Sequence, residues 1–364
     1  MKRFVKLNWL AAGVLILAVF LAGASQLSKP VEKGPLPVSP PKTPDPLAEN
    51  LLYGQGLALS ALGNFEAARE KFARIREINA SSPLGYGPVS AVYMAEGQLD
   101  QALYWMLEAQ AHDPGNFDSV AWLVGLYDCL EDYESAAYWS EWLNSRITNQ
   151  PLPMAMQASH DYLGGNFESA LQYSNLALKL ELPVRRNSDA IFMRIKRDEA
   201  LAAGDPASGI RIFAVQHPEL FGLQPQIDAG NIVQATDLAL LLRIAGRSTE
   251  TERLLAGVLA AYDQPFLGGT PFGAGLVPVK AEALAILGEE LRSLAELRRI
   301  IDQGWRFHWR WKTDLNPNFN SIRQSGEFQA MLAELEADTA LQRARAREMA
   351  LRGEIAHAPE SSPE

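Results

Sequence analysis

The sequence predicts an all-α fold: an α-α superhelix of stacked helical hairpins, preceded by one apolar N-terminal helix that is a transmembrane or signal segment. Three observations carry this. Gly63, Gly97, Glu131 and Gly165 recur at intervals of 34 residues, and a constant period of that length marks one supersecondary unit stacked several times. Each is followed at one shared offset by a small residue, Ala68, Ala102, Ala136 and Ala170. Residues 1–28 are different: a short basic stub leads into an uncharged run.

In chain order, Lys2, Arg3 and Lys6 precede uncharged residues from Leu7 to Ser28. Basic residues before an apolar run hold the N-terminus in the cytoplasm and send the downstream chain across the inner membrane. Two readings stand for this element. The run 7–27 is long enough to span a bilayer, with Trp9 at the interface. Ala22-Gly23-Ala24 also fits a signal-peptidase site, with cleavage near Ala24 and a secreted or periplasmic product. Ala24 stands where a lipoprotein would need cysteine, so lipidation is excluded. Residues 29–47 form a linker in which seven prolines fall between positions 30 and 46. That density gives a stiff spacer, which suits a domain standing off a membrane and favours the anchor.

Residues 48–183 hold four units. In each, a first helix is expected to end at the marker glycine, because the left-handed turn there disfavours side chains. An aromatic or apolar residue follows at Phe65, Leu99, Tyr133 and Phe167, and the small residues let paired helices approach. Proline closes the second helix at Pro114 and Pro183. These positions and residue types resemble the tetratricopeptide repeat. Unit three departs from the pattern at Glu131 and Ser140, so an altered turn is expected there. The resemblance implies a non-catalytic protein-binding array, with a ligand groove lined by the first helix of each unit. It places Tyr53, Leu57, Met94, Asp128 and Tyr162 in that groove, which is mostly small and apolar and suited to a helix or an extended apolar peptide.

After Pro183 the period changes. Gly204, Gly246 and Gly288 are spaced by 42 residues, and residues 184–312 read as degenerate hairpins with long joints. One joint, Phe266 to Gly275, holds four glycines, but no phosphate-loop signature accompanies it. Residues 313–352 resemble the closing module of bacterial proteins of this type, with Asn316-Pro317-Asn318-Phe319 leading into capping helices. Arg343, Arg345, Arg347 and Arg352 are expected to complement that helix's C-terminal dipole. Residues 353–364 read as a disordered tail.

The chain carries 43 acidic and 33 basic residues, a net charge of −10, which argues against a nucleic-acid partner. Its single cysteine, Cys129, permits no intrachain disulfide and reads as a buried thiol. Five scattered histidines offer no metal spacing. No cofactor motif and no nucleophile elbow is present, so no enzyme is expected. The densest cluster is Trp305, Arg306, Phe307, His308, Trp309, Arg310, Trp311 and Lys312. Trp305, Trp309, Arg310 and Trp311 form a possible binding patch, and equally a cap over the exposed end of the array. The expectation is a protein-binding scaffold or assembly factor of the bacterial cell envelope, single-pass in the inner membrane with a periplasmic C-terminal domain. The alternative is the sensory subunit of a membrane signalling system that lacks its own output domain.

Overall fold

Asp45 opens the first helix. Its carboxylate accepts the backbone N–H groups of Leu47 and Ala48 at 3.1 and 3.2 Å, and Pro46 occupies the first helical position, where a missing N–H costs nothing. The computed structural model describes residues 45–146, 150–180, 186–264 and 278–355. The segment 1–28, nearly all of the linker, the Phe266 to Gly275 loop and the tail beyond 355 lie outside the described residues. Among the described residues every regular element is helical, and no helix is long and apolar enough to cross a membrane.

Among the described residues seven antiparallel hairpins follow one another. They are α1 (Pro46–Ala61) with α2 (Phe65–Ile78), α3 (Gly87–Ala95) with α4 (Leu99–His112), and α5 (Phe117–Cys129) with α6 (Tyr133–Asn144). Next come α7 (Pro151–Leu163) with α8 (Phe167–Lys179), and α9 (Arg186–Ala202) with α10 (Pro206–Gln216). The last two are α11 (Ile232–Ile244) with α12 (Ser248–Tyr262), and α13 (Val279–Leu287) with α14 (Glu290–Asp302). Each hairpin packs on itself and on its neighbour. The small residues do what their spacing implied: Ala68, Ala102, Ala136 and Ala170 are fully buried. A methyl added at Gly56 would lie 2.5 Å from the Phe72 ring, so only glycine lets α1 seat on α2.

The marker glycines adopt positive φ throughout, from +65° at Gly204 to +83° at Gly288. Glu131 adopts φ +56° and makes the same turn. The Asp132 N–H reaches the Tyr127 carbonyl at 2.9 Å, as the Gln98 N–H reaches Tyr93. The departure at unit three therefore leaves the turn unaltered, at a backbone cost of about 1–2 kcal/mol for a side chain in this region.

The C-terminal part differs from a simple end cap. After Gly304 the chain passes through a π-helical turn at Arg310–Asp314 and a short 3-10 turn at Pro317–Phe319. It then enters α15 (Gly326–Leu351), capped by the Ser325 hydroxyl on the Phe328 N–H at 3.1 Å. The beginning of α15 covers the seventh hairpin, where Phe328, Met331 and Leu335 join Leu297 and Ile301. Its end returns to the second and third hairpins, where Ala346 and Met349 pack with Leu99, Leu103 and Leu130. Gln342 fixes this return, accepting from the Leu99 N–H at 2.5 Å and donating to the Gly97 carbonyl at 2.8 Å. The turns at Gly97 and Gly304 meet backbone to backbone, and a methyl at Gly304 would stand 2.7 Å from the Glu96 carbonyl oxygen. The array closes on itself between its second and seventh hairpins. Arg343, Arg345 and Arg347 serve the closure: Arg345 pairs with Asp100 at 2.6 Å, Arg343 donates to the Leu130 carbonyl at 3.0 Å and Arg347 reaches Asp132 at 3.6 Å, whereas Arg352 stays at the helix end, paired with Glu348 and Glu354.

Candidate protein-binding groove and the segment that fills it

The first helices of hairpins three to seven, α5, α7, α9, α11 and α13, each contribute contacts to one strip of chain. That strip is residues 305–318. Phe307 tilts against Trp122 of α5 with ring centroids 5.7 Å apart. The His308 N–H donates to the Cys129 sulfur at 3.2 Å. Gly125 leaves room for this: an added methyl would lie 3.6 Å from His308 Nε2 and 3.1 Å from the Met156 sulfur. Trp311 then packs on Tyr162 of α7, ring centroids 5.0 Å apart, beside Ala155 and Ala158.

Further along, the contacts become polar. Asn318 Nδ2 donates to Asp237 Oδ1 of α11 at 2.9 Å and to Glu282 Oε2 of α13 at 2.6 Å. Asn316 Oδ1 accepts from Arg197 of α9 at 3.2 Å. Beneath them Arg194 holds Asp237 in a two-bond fork at 3.0 and 3.1 Å and reaches Glu282 at 2.9 Å, and Arg197 also pairs with Asp237. All four charged side chains are buried. Burial opposes the charge of Asp237, yet Arg194 and Arg197 hold its carboxyl below the usual carboxylate range. A buried network of this kind survives because each charge has a partner, and Arg197 also meets Asp198 at 2.7 Å, so that three carboxylates face the two guanidiniums.

Hydrogen bonds hold the strip along its length, at Arg306, His308, Trp309 and Arg310 as well as at 316–318. Both His308 ring nitrogens, the Trp305 and Trp311 indole nitrogens and Asn318 Oδ1 find no hydrogen-bond partner among the described residues. His308 also adopts φ +51°, and burial, with the nearby Lys312 charge, pushes its imidazole down to about 3. It is therefore neutral at ordinary pH.

This arrangement corrects the expected groove. Asp128 and Tyr162 are not open walls. Asp128 is buried and accepts from or shares a proton with His160 Nδ1 at 2.8 Å. Tyr162 is buried under Trp311 and donates to Asp198 at 2.9 Å. Tyr162 is covered because the chain's own strip lies on it through Trp311. Leu57 remains exposed, while Tyr53 and Met94 are half-buried. Tyr53 leans on Phe72 at 6.4 Å, and Met94 packs in the separate cluster around Leu99 and Tyr127. The structure does not gather the five residues into one site.

The tryptophan patch is core. Trp305, Trp309 and Trp311 are each 2% exposed, which removes them from any open binding surface. Trp309 donates from its indole to Thr339 at 3.0 Å. Arg310 stacks on Trp309 at 4.5 Å and pairs with Glu131 at 2.6 Å. Glu131 thus explains its own presence at a glycine position: its carboxylate also meets Arg343, so it ties the closing strip and α15 to the third hairpin. Cys129 is buried and its thiol is pushed up by that burial.

Sequence reading missed Arg194, Arg197, Asp237 and Glu282. A signal was present: Asp237 stands directly before the apolar run from Leu238 to Leu242, and Glu282 between Ala281 and Ala283. An ionisable residue on a helix that is apolar all round is bound to be buried and paired.

No family model matches the sequence, and no curated protein matches it. Among solved structures, a tetratricopeptide repeat protein from Parabacteroides merdae ATCC 43184 is similar over 80% of this chain and 99% of that chain, at 15% identity and a TM-score of 0.44.

Proposed function

We propose that this chain is a non-catalytic protein-binding scaffold of the bacterial cell envelope. One observation carries the reading: the inner face of five consecutive hairpins already grips an irregular stretch of polypeptide, residues 305–318. A surface that holds a peptide in cis has the shape and chemistry to hold one in trans. The part left to a partner is the first two hairpins, where Leu57 is open and Tyr53 and Met94 are half-covered. The partner would be an apolar helix or extended segment. The uncharged run from Leu7 to Leu27, behind Lys2, Arg3 and Lys6, supports tethering at the inner membrane.

A photo-crosslinker placed at Ser60's neighbour Ala61 in the full chain, expressed in its own cells, tests the reading. Capture of a discrete protein is expected, and Leu57→Lys with Met94→Lys should abolish it at unchanged helicity. Capture indifferent to both substitutions overturns the groove. Deleting residues 1–28 should release the chain from membranes; undiminished membrane association refutes the tether.

A further inference from the structure

The seam between α5, α7 and the strip holds more polar chemistry than its apolar walls explain. On α7, Met156, Ser159 and Tyr162 follow at intervals of three and lie on one side of the helix. The outer two locate that side. The Met156 sulfur is 3.1 Å from the point where a Gly125 methyl would stand, and His308 Nε2 is 3.6 Å from the same point. Tyr162 packs on Trp311, ring centroids 5.0 Å apart. Ser159 lies between them, and so opens toward the strip between His308 and Trp311. Asp128 is one turn beyond Gly125 on α5, and its Oδ1 meets His160, the neighbour of Ser159, at 2.8 Å.

Asp128, Ser159, His308 and Trp311 are all buried, the most exposed of them at 4%. Asp128 Oδ2, Ser159 Oγ, both His308 ring nitrogens and Trp311 Nε1 find no hydrogen-bond partner among the described residues. Buried polar atoms left unbonded are costly, and native interiors rarely gather several in one place.

We infer that this seam is a binding site for ordered water, which joins Asp128, Ser159, His308 and Trp311 into one network and ties the strip to α5 and α7. The donor and acceptor set selects the ligand. Asp128 Oδ2 accepts, Trp311 Nε1 donates, the neutral imidazole does one at each nitrogen, and the Ser159 hydroxyl does both. An anion would face the Asp128 carboxylate. A cation would face the Trp311 N–H and the Lys312 charge that acts on the same imidazole, and among the described residues no three His, Cys, Asp or Glu side chains are placed to hold a metal ion. An apolar guest would leave all five atoms unbonded. Water gives and takes at once. At two to four bonds each, about two molecules bonded to one another satisfy the set. Gly125 supplies part of the room, since the methyl it lacks is close to a water molecule in size. The network lets polar side chains lie inside the groove at little loss, because a bridging water bonds nearly as well as a direct contact.

A double-mutant cycle in the full chain, read by urea unfolding, tests this. Ser159→Ala should lower the folding constant by about threefold to tenfold, the effect of one lost buried bond. His308→Phe keeps a flat ring of similar size and removes both nitrogens. Together the two should cost less than the sum of their separate effects, by about threefold or more, although the two side chains share no direct bond. A Ser159→Ala chain at least as stable as the parent overturns the inference, because removing a dry hydroxyl relieves a cost, and strictly additive effects overturn it too. Should His308→Phe fail to fold, oxygen-17 relaxation dispersion on the parent and on Ser159→Ala decides. The parent should hold more long-lived water than the variant, and equal amounts overturn the site. A crystal structure showing two water peaks between Ser159 and His308 supports it. One showing a direct bond from His308 to Asp128, or an ion or organic molecule in the seam, refutes it.

Discussion

The closure between Gly97 and Gly304 can be broken by one methyl group, and a matched control exists in the same protein. Gly97 and Gly165 end equivalent first helices with nearly equal φ, +76° and +79°. At Gly165 an added methyl meets nothing, whereas at Gly97 it overlaps the Gly304 carbonyl. Both substitutions to alanine place a Cβ in the left-handed region, costing about 1–2 kcal/mol. Reduced freedom of the unfolded chain returns about 0.4–1 kcal/mol. Gly165→Ala should therefore cost about 1 kcal/mol in urea unfolding. Gly97→Ala adds an overlap between two backbones, with no flexible side chain to move aside, for a further ~1–3 kcal/mol.

The two variants should differ in place as well as in size. Gly97→Ala displaces the carbonyl that receives Gln342 at 2.8 Å and the neighbouring N–H of Leu99 that Gln342 accepts. Amide exchange should quicken around Gly97 to Asp100 and in α15 from Asp338 to Met349, and remain as in the parent chain elsewhere. Gly165→Ala should leave α15 protection unchanged. Equal costs, or unchanged exchange in α15 of Gly97→Ala, would refute closure as a source of stability.

Two further outcomes concern the buried charges and the joint between the fifth and sixth hairpins. Asp237→Ala leaves Arg194 and Arg197 buried without their shared carboxylate, a loss of about 3–5 kcal/mol; an unfolding midpoint within error of the parent would show that the network is not matched as described. His217 lies between Asp189 at 2.7 Å on Nε2 and Glu219 at 3.1 Å on Nδ1, with Gln234 and Asn231 donating to the same carboxylates. Against the penalty of burial, these acids raise its imidazole above the ordinary value. The charged form is the one folding favours, so its stabilisation is complete below the unfolded value of about 6.5 and fades as pH rises through the raised folded value. As pH rises above about 6.5 the parent should lose more stability than His217→Gln, in which only the raised imidazole of His160 beside Asp128 still contributes; parallel pH profiles would count against the clamp.

Local pattern was enough for much of this chain. The intervals of 34 and 42 residues place a left-handed turn after each first helix, and every marker glycine adopts that turn because only glycine does so without cost. The alanines at the shared offset are buried because close helix pairs leave no room for more. The same reasoning stopped at Glu131, where it expected a changed turn. Glu131 tolerates the strained backbone because Arg310 and Arg343, 179 and 212 residues further on, meet its carboxylate. No local window contains that information.

The groove shows the same division. Positions such as Asp128 and Tyr162 lie on the first helices as the repeat pattern implies, and a repeat pattern describes each unit facing an empty interior. Whether that interior is empty depends on the return path of a segment far along the chain. Residues 305–318 lie there because tryptophan and asparagine side chains find matching cavities and carboxylates on five different hairpins at once. The sequence by itself determined the hairpin, its turn and its small-residue seams, which depend on neighbours within one period. Tertiary structure alone decided that the array closes and that the tryptophans are interior. Those outcomes come from contacts between residues hundreds of positions apart, whose complementarity exists only once the chain has curved round to meet itself.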